Sequence, residues 1–327
     1  MKSRGKIMKH KLNEIAKQTG YSITTVSRAL NSSSRVPETT RLKILETARK
    51  IGYLRSEKTV ILVISNLFVT YYCKSLLKSL QTMLHIAGYR IVAIPLEDIQ
   101  LIDEINPCAV IAAVREDDLG RYWSKKYDIP LVCLNTASRH LEGIYSIYSN
   151  EEQGMNVLLE HLLSLGHKRI GLLGDSWIEG LHSNAQNLRI RLETFRRILR
   201  KRNLPDDLIA GCSLKDVEYS EAVYRLLDKR ITAVVNLAEP DIPRILHYIR
   251  QAGLKVPRDI SVCGWLSEMD LYCDPPITGI MPNYDYLANH TLVMLNRLLH
   301  REAVIADVPV DYNWFLRRST APPKKRK

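Results

Sequence analysis

The side chains best suited to chemistry stand in one run near the N-terminus, Ser22-Ile23-Thr24-Thr25-Val26-Ser27-Arg28-Ala29-Leu30-Asn31. Read as a helix over Ile23–Asn31, the run turns Val26 and Leu30, four residues apart, inward. Ile23, Thr24, Ser27, Arg28 and Asn31 are left facing outward. Short polar side chains at a helix N-terminus can approach base edges in a DNA major groove. A guanidinium such as that of Arg28 can span O6 and N7 of a guanine with two hydrogen bonds. Ser22 and Thr25 fall where hydroxyls and N-terminal amides meet phosphate oxygens. The chemistry expected is recognition.

Catalytic arrangements are missing by comparison. Gly171-Leu172-Leu173-Gly174-Asp175 follows a strand-like run, but it lacks both GxGxxG and GxxxxGK[ST]. There is no GxSxG and no HExxH. The nine histidines are scattered, and the cysteines at 73, 108, 133, 212, 263 and 273 form no CxxC pair. They read as small core thiols rather than disulfides or a zinc site. The chain is not expected to be an enzyme, and no cofactor or metal is expected.

The run must be held by neighbours, and these are legible. Leu12, Ile15, Ala16 and Thr19 share one helical face, and Gly20 is placed to end that helix. Ser22 supplies an N-cap oxygen for the next. About three residues separate the two helices, which is helix-turn-helix spacing. After the polar break Ser32-Ser33-Ser34, Pro37 opens a third helix over Glu38–Ile51, and Gly52 closes it. A three-helix head over 11–54, behind a basic extension 1–10, is predicted.

Charge singles out the same segment. The chain has 327 residues and a net charge of +12. Residues 1–58 hold 14 Lys/Arg against 4 Asp/Glu, while Lys324–Lys327 add four more positive charges at the other end. The 265 residues between carry 29 basic and 31 acidic side chains. A polyanion partner suits the head. The same charge also fits a merely solvated basic face. With 46% apolar and 25% charged residues the composition is that of a globular protein, too long for one core. The longest apolar runs fall far short of the ~20 residues of a membrane span. The basic N-terminus leads into no apolar stretch, so a cytoplasmic protein is expected.

From Thr59 onward apolar runs alternate with amphipathic ones. Strands are predicted at Val60–Ile64, Arg90–Ile94, Val110–Val114, Leu131–Leu134, Arg169–Leu173, Ala233–Val235 and Ile260–Cys263. Helices are predicted at Leu76–Ala87, Gly154–Leu165, Leu188–Lys201 and Ile242–Gln251. Continuous apolar strands between helices mean parallel sheets buried on both faces. The expectation is an α/β body of two doubly wound units, with ligands at the carboxyl ends of the strands.

Tyr21-Ser22-Ile23-Thr24-Thr25-Val26-Ser27-Arg28-Ala29-Leu30-Asn31 resembles the VSxxTVSRVLN recognition helix of the lactose-repressor (LacI/GalR) family. Leu12-Asn13-Glu14-Ile15-Ala16 resembles its IKDVA helix, and Val36…Thr40-Arg41 and Ile51-Gly52-Tyr53 its VSxxTR and LGY. The likeness runs on through Glu160-His161-Leu162…Leu165-Gly166-His167-Lys168-Arg169-Ile170, Ala252-Gly253-Leu254…Val256-Pro257-Arg258-Asp259-Ile260-Ser261-Val262, Pro275-Pro276-Ile277-Thr278 and Arg318-Ser319-Thr320-Ala321-Pro322-Pro323, so it covers about 11–323. It implies a small all-α helix-turn-helix head on a periplasmic-binding-protein-like body that dimerises and closes over a small effector. It implies a homodimeric repressor on an inverted-repeat DNA operator, with no membrane partner. Ile23 and Thr24 would choose the operator. Ile23, lacking hydrogen-bonding groups, is expected on a thymine methyl. Arg35, Thr40 and Tyr53 join the DNA-facing set by resemblance.

Two departures stand out. Family chains follow LGY with a PNxxARxL hinge helix, whereas here Leu54-Arg55-Ser56-Glu57-Lys58 leads at once to the strand at Val60. A short linker over 55–59 with no hinge helix is expected, before a body over 60–321 and a basic tail at 322–327. Lobe 1 is predicted over about 60–149 plus 281–307, and lobe 2 over about 150–280 plus 308–321. At the effector site the family's carboxylates are replaced by Asn135, Asn150, Ala238-Glu239 and Leu266-Ser267, while Arg191 is kept. Phe68, Tyr72 and Trp265 would line the cleft. One reading is a site retuned to a less hydroxylated or anionic ligand, with Arg191, Asn135 and Asn150 as donors and Glu239 among the site residues. The other is a body that no longer binds a small molecule. Two further readings of the whole chain are a sugar-binding protein with an accessory nucleic-acid-binding head and a non-specific nucleoid binder.

Overall fold

The computed structural model describes residues 12–30, 36–51, 56–64, 71–113, 123, 129–134, 143–175, 186–212, 216–237 and 242–324. The head is three helices: α1 (12–19), α2 (Ile23–Leu30) and α3 (Glu38–Lys50). Gly20 takes the left-handed conformation (φ 76°) that ends α1, and its N–H reaches the Ala16 carbonyl at 3.0 Å. Ser22 caps α2, its Oγ accepting the Thr25 N–H at 3.1 Å. Ile15, Val26, Ala29, Val36, Ile44 and Ala48 form the buried core of the head. Leu12, Ala16, Tyr21 and Leu30 pack around it.

The body holds two six-stranded sheets. The first contains β1 (Ser56–Ile64), β2 (Arg90–Pro95), β3 (Pro107–Ala113), β4 (Leu131–Leu134), β5 (Ile144–Ser149) and β11 (Asp307–Val310), in the order β2-β1-β3-β4-β5-β11, all parallel. Central β3 is buried at every position, as expected for a parallel strand covered on both faces. On one face α4 (Tyr71–Ile86) and α10 (Tyr284–Leu299) bring Leu76, Leu80, Leu84 and Leu295 onto Val60, Leu62 and Ile111. On the other, the alternate residues Ile61, Val63 and Val110 meet Ile94, Trp123 and Ile102 of the short α5 (Leu101–Ile105).

The second sheet contains β6 (Ile170–Asp175), β7 (Ile209–Cys212), β8 (Ala233–Asn236), β9 (Ser261–Trp265), β10 (Thr278–Met281) and β12 (Asn313–Phe315), ordered β7-β6-β8-β9-β10-β12 with only the β10–β12 pair antiparallel. Helices α6 (Glu151–Ser164) and α7 (Gln186–Lys201) cover one face through Met155, Leu162, Leu192 and Phe195. Helices α8 (Asp216–Asp228) and α9 (Ile242–Gln251) cover the other through Tyr219, Leu226, Ile242 and Ile249. Between the sheets the chain crosses three times: after β5, after β10 and after β11.

Two boundaries differ from the sequence expectation. Strand β1 begins at Ser56, paired with Pro107, so most of the linker placed at 55–59 is sheet. Only residues 51–55 separate the end of α3 at Lys50 from β1. The last crossing falls after Val310 rather than at 307, because Asp307–Val310 pairs with Ser146–Ser149 of the first sheet.

The cysteines at 73, 108, 133, 263 and 273 are in no disulfide. Among the described residues no helix is long and apolar enough to cross a membrane, and no cluster of His, Cys, Asp or Glu could hold a metal ion.

The C-terminal segment returns over the second sheet and is pinned by buried polar groups. Ser319 Oγ donates to the Val262 carbonyl and accepts the Thr278 N–H at 2.8 Å. Beneath lies His167, whose Nε2 is 2.9 Å from the Ala321 carbonyl and Nδ1 2.9 Å from the Thr232 hydroxyl. A carbonyl only accepts, so Nε2 carries the proton and Nδ1 accepts from Thr232. Burial pushes the His167 imidazole below its ordinary value. The Ala321 bond offsets that only in part, and neighbouring His161 adds to the lowering. The unfolded chain therefore takes up a proton that the fold resists. Stability should fall as pH drops below about 6.5, the unfolded imidazole value. His167→Gln should flatten that slope. Urea midpoints measured above and below that value test it, and an unchanged slope in the variant would refute the assignment to His167.

Candidate nucleic-acid interface and effector cleft

Helix α2 presents the surface its sequence implies. Val26 and Ala29 are buried against the head core, while Ile23 (51% exposed), Thr24 and Arg28 stand in solvent and Ser27 is half-buried. The large apolar Ile23 has no packing reason to face water, which suits a methyl-lined groove. Ser22 and Thr25 sit at the rim of the helix start, their hydroxyls 2.9 Å apart. Since Ser22 Oγ is also the cap, these two hold the first turn as well as standing where a phosphate would approach. Thr40, expected at the DNA, donates at 3.5 Å to the Tyr21 hydroxyl, and Lys43 lies over the Tyr21 ring at 5.8 Å. Both contacts tie α3 to the turn before α2. Asn31, Arg35 and Tyr53 lie outside the described residues.

The expected cleft residues have a different fate. Asn150 sits at the first crossing and caps α6, its Oδ1 accepting the Gln153 N–H at 3.2 Å. Its Nδ2 donates to Asp311 at 2.9 Å on the third crossing. Asn283 at the second crossing repeats the device, capping α10 through Tyr286 N–H and reaching Asn313 at 3.3 Å. The third crossing is thus clasped to the other two by the caps of the helices that follow those two.

Arg191 on α7 is buried (8% exposed). Its Nε donates to Glu151 Oε2 at 2.6 Å, and Nη2 donates to Glu151 Oε1 at 3.1 Å and to the Tyr312 hydroxyl at 3.2 Å. Nη1 donates to the Leu237 carbonyl at 2.7 Å. The guanidinium lies over the Trp265 ring at 4.2 Å, and Tyr312 meets the edge of that indole, the rings 88° apart. Trp265, expected to offer a stacking face, is fully buried by these neighbours. Tyr312 donates to Glu151 at 2.9 Å. Burial, reinforced by the Glu151 carboxylate, pushes the Tyr312 phenol far up and keeps it a neutral donor. Gly154 makes room for the cluster, since a Cβ there would stand 2.9 Å from the Tyr312 ring. Tyr72 is half-buried against Tyr284, ring centroids 5.5 Å apart. Phe68, Asn135 and Glu239 lie outside the described residues. Glu151 and Tyr312 were not singled out by sequence reasoning, and only the fold brings them to Arg191. Arg197 and Arg200 of α7 pair at the surface with Glu152 and Asp206, and Arg202, just past its end, pairs with Glu160.

A small basic head with an exposed recognition helix, joined to two open parallel-sheet lobes, defines a helix-turn-helix regulator with a periplasmic-binding-protein-like body. Residues 11–56 match the family described as bacterial regulatory proteins, lacI family, and residues 159–320 match the periplasmic binding protein-like domain. The HTH-type transcriptional repressor PurR of Photobacterium profundum is 25% identical, over 82% of this chain and 86% of its own. The HTH-type transcriptional repressor CytR of Escherichia coli (strain K12) is 24% identical, over 94% and 96%. The solved Lac repressor dimer bound to operator and the anti-inducer ONPF superposes with a TM-score of 0.70 at 20% identity, covering 94% of this chain and 98% of that one. The chain belongs to the lacI family of bacterial regulatory proteins, and it is a DNA-binding transcription regulator, not an enzyme.

Proposed function

We propose that this protein represses transcription in the cytoplasm, at the nucleoid, by binding an inverted-repeat operator as a homodimer. The observation that carries the reading is the outward row Ile23, Thr24 and Arg28 on a capped helix of the basic head. The fold likeness to a repressor solved as an operator-bound dimer supports the two-headed arrangement. In this reading the head spans 11–54 and reads bases through Ile23, Thr24, Ser27, Arg28 and Asn31. Ser22, Thr25, Arg35, Thr40 and Tyr53 position it on the backbone. The body from β1 to 321 dimerises and answers to a small-molecule effector, with 322–327 a basic tail. Phe68, Tyr72, Asn135 and Glu239 are the remaining effector-facing candidates.

Selection of bound duplexes from a random pool at about 150 mM salt tests the reading. An enriched inverted repeat is the expected result, and tight binding without enrichment would favour a non-specific binder. Arg28→Ala should cost about 1–3 kcal/mol and relax the choice at one base pair of each half-site. A variant that weakens binding equally on every sequence would place Arg28 on phosphate instead.

The linker adds a second expectation. Only five residues, 51–55, lie between α3 and β1, fewer than the ~7 that two helical turns take. Binding by the heads alone leaves the operator nearly straight. A circular-permutation gel assay should show no sharp bend at its centre, and a strong central bend would overturn this.

A further inference from the structure

Open α/β sheets take ligands beyond the carboxyl ends of their strands. In the second sheet that place is occupied by groups of the chain itself. Leu237 and Trp265 stand at the carboxyl ends of β8 and β9, and Arg191 spans them, bonded to one and stacked on the other. Glu151 enters from the first crossing and Tyr312 from the third. Glu151 grips the guanidinium at two points, Oε2 on Nε and Oε1 on Nη2. This two-point geometry is how an arginine holds the carboxylate of a bound molecule. Each of the four side chains is less than a tenth exposed.

We propose that the second lobe contains a carboxylate-binding site that is filled from within: Glu151 is its tethered ligand, and removing that side chain opens the site to a small free monocarboxylate. The elements of the site remain when Glu151 is gone. Arg191 keeps the Leu237 carbonyl, the Trp265 face and the Tyr312 hydroxyl, and these hold the guanidinium in place. Glu151 is held in fixed two-point geometry on the guanidinium, so its effective concentration lies far above the mM of a flexible tether, and free carboxylates do not displace it from the intact protein. An effector entering the cleft must therefore be recognised by groups other than Arg191. That consequence rests on the effector reading above, while the site itself does not, and operator binding reports on that reading separately.

The test uses the full chain and compares thermal midpoints in sodium acetate with those in sodium chloride of equal ionic strength. Glu151→Ala should lower the midpoint in chloride by roughly 10 °C. At about 0.2 M, acetate should then raise it by about 2–4 °C over chloride. The parent protein should show no difference between the two salts. Neither should Glu151→Gln, whose amide still fills the space, nor Glu151→Ala combined with Arg191→Met, which lacks the guanidinium. Where Glu151→Ala does not fold in chloride, circular dichroism reads recovery instead: folding restored by acetate supports the proposal, and failure in both salts overturns it. Equal midpoints of Glu151→Ala in the two salts overturn it, as does an acetate response of the parent protein as large as that of the variant.

Discussion

Operator affinity should fall by about 10³–10⁵-fold between 50 and 200 mM salt. The expectation comes from the head, where residues 1–58 hold 14 Lys/Arg against 4 Asp/Glu. Two heads seated on a duplex can neutralise ~6–10 phosphates and release the counterions condensed there. The described internal contacts of the head's lysines are weak. Lys50 pairs with Glu46 at 2.9 Å, but the pair is exposed and separable, and Lys43 only overlies Tyr21. Lys17 and Arg28 stand in solvent. Fluorescence-anisotropy titrations at several salt concentrations give the slope of log K against log salt, expected near −5 to −9. A slope of −1 or −2 would mean that the basic head is a solvated surface, and the DNA-binding role of α2 would fall with it. The same titration on an unrelated duplex should show a similar slope at lower affinity, because phosphate contacts carry no sequence information.

The head was almost fully legible in the sequence, because its signals are local. Spacing placed Ile15, Val26 and Leu30 on inner faces, Gly20 marked the end of α1, and Ser22 marked the start of α2. In the body the signal depended on depth. The continuous run of β3 and the amphipathic α9, expected at Ile242–Gln251 and found there, stand out in sequence. Edge and mixed strands do not. In β5, Ile-Tyr-Ser-Ile-Tyr-Ser repeats with a period of three and puts Ser146 and Ser149 in buried positions, which hides the alternation of a strand. In β11, Asp-Val-Pro-Val pairs on one side only, and Pro309 is the kind of residue that argues against a strand except at an edge.

In the expected cleft the sequence offers residue types but not their contacts. Arg191, Asn150 and Trp265 are each engaged by the chain itself. The partners could not be read because they come from crossings far apart in sequence: Glu151 and Tyr312 are separated by 161 residues and meet only where the chain passes between the sheets. Asn150 shows the same limit. An asparagine before a helix reads as an N-cap from local sequence alone, but its bond to Asp311 requires the third crossing.

Replacing Arg191 by methionine should destabilise the body by about 3–5 kcal/mol, the largest effect expected of any single cleft substitution. Methionine replaces the stem but not the guanidinium head over Trp265, so a void makes up the lesser part of the loss. The greater part comes from the groups left behind. Glu151 keeps only the Tyr312 hydroxyl among the contacts described, and the Leu237 carbonyl loses the Nη1 donor at 2.7 Å. An uncompensated carboxylate with a tenth of its surface exposed is what makes a broken buried pair costly. The intact pair is a different quantity, since two charges removed from water recover little net free energy when they meet. Combining Arg191→Met with Glu151→Leu should therefore return most of the lost stability, leaving the double variant within about 1–2 kcal/mol of the parent. Urea unfolding of the four proteins closes the cycle. If the double variant is as unstable as Arg191→Met alone, the cost lies in the Leu237 and Trp265 contacts, and Arg191 is a packing residue of the second lobe rather than the counter-ion of Glu151. If it recovers, operator affinity of the double variant then tells whether the pair also sets the spacing of the heads, because the body would be folded with the three crossings joined only through Asn150 and Asn283 and the remaining neutral contacts.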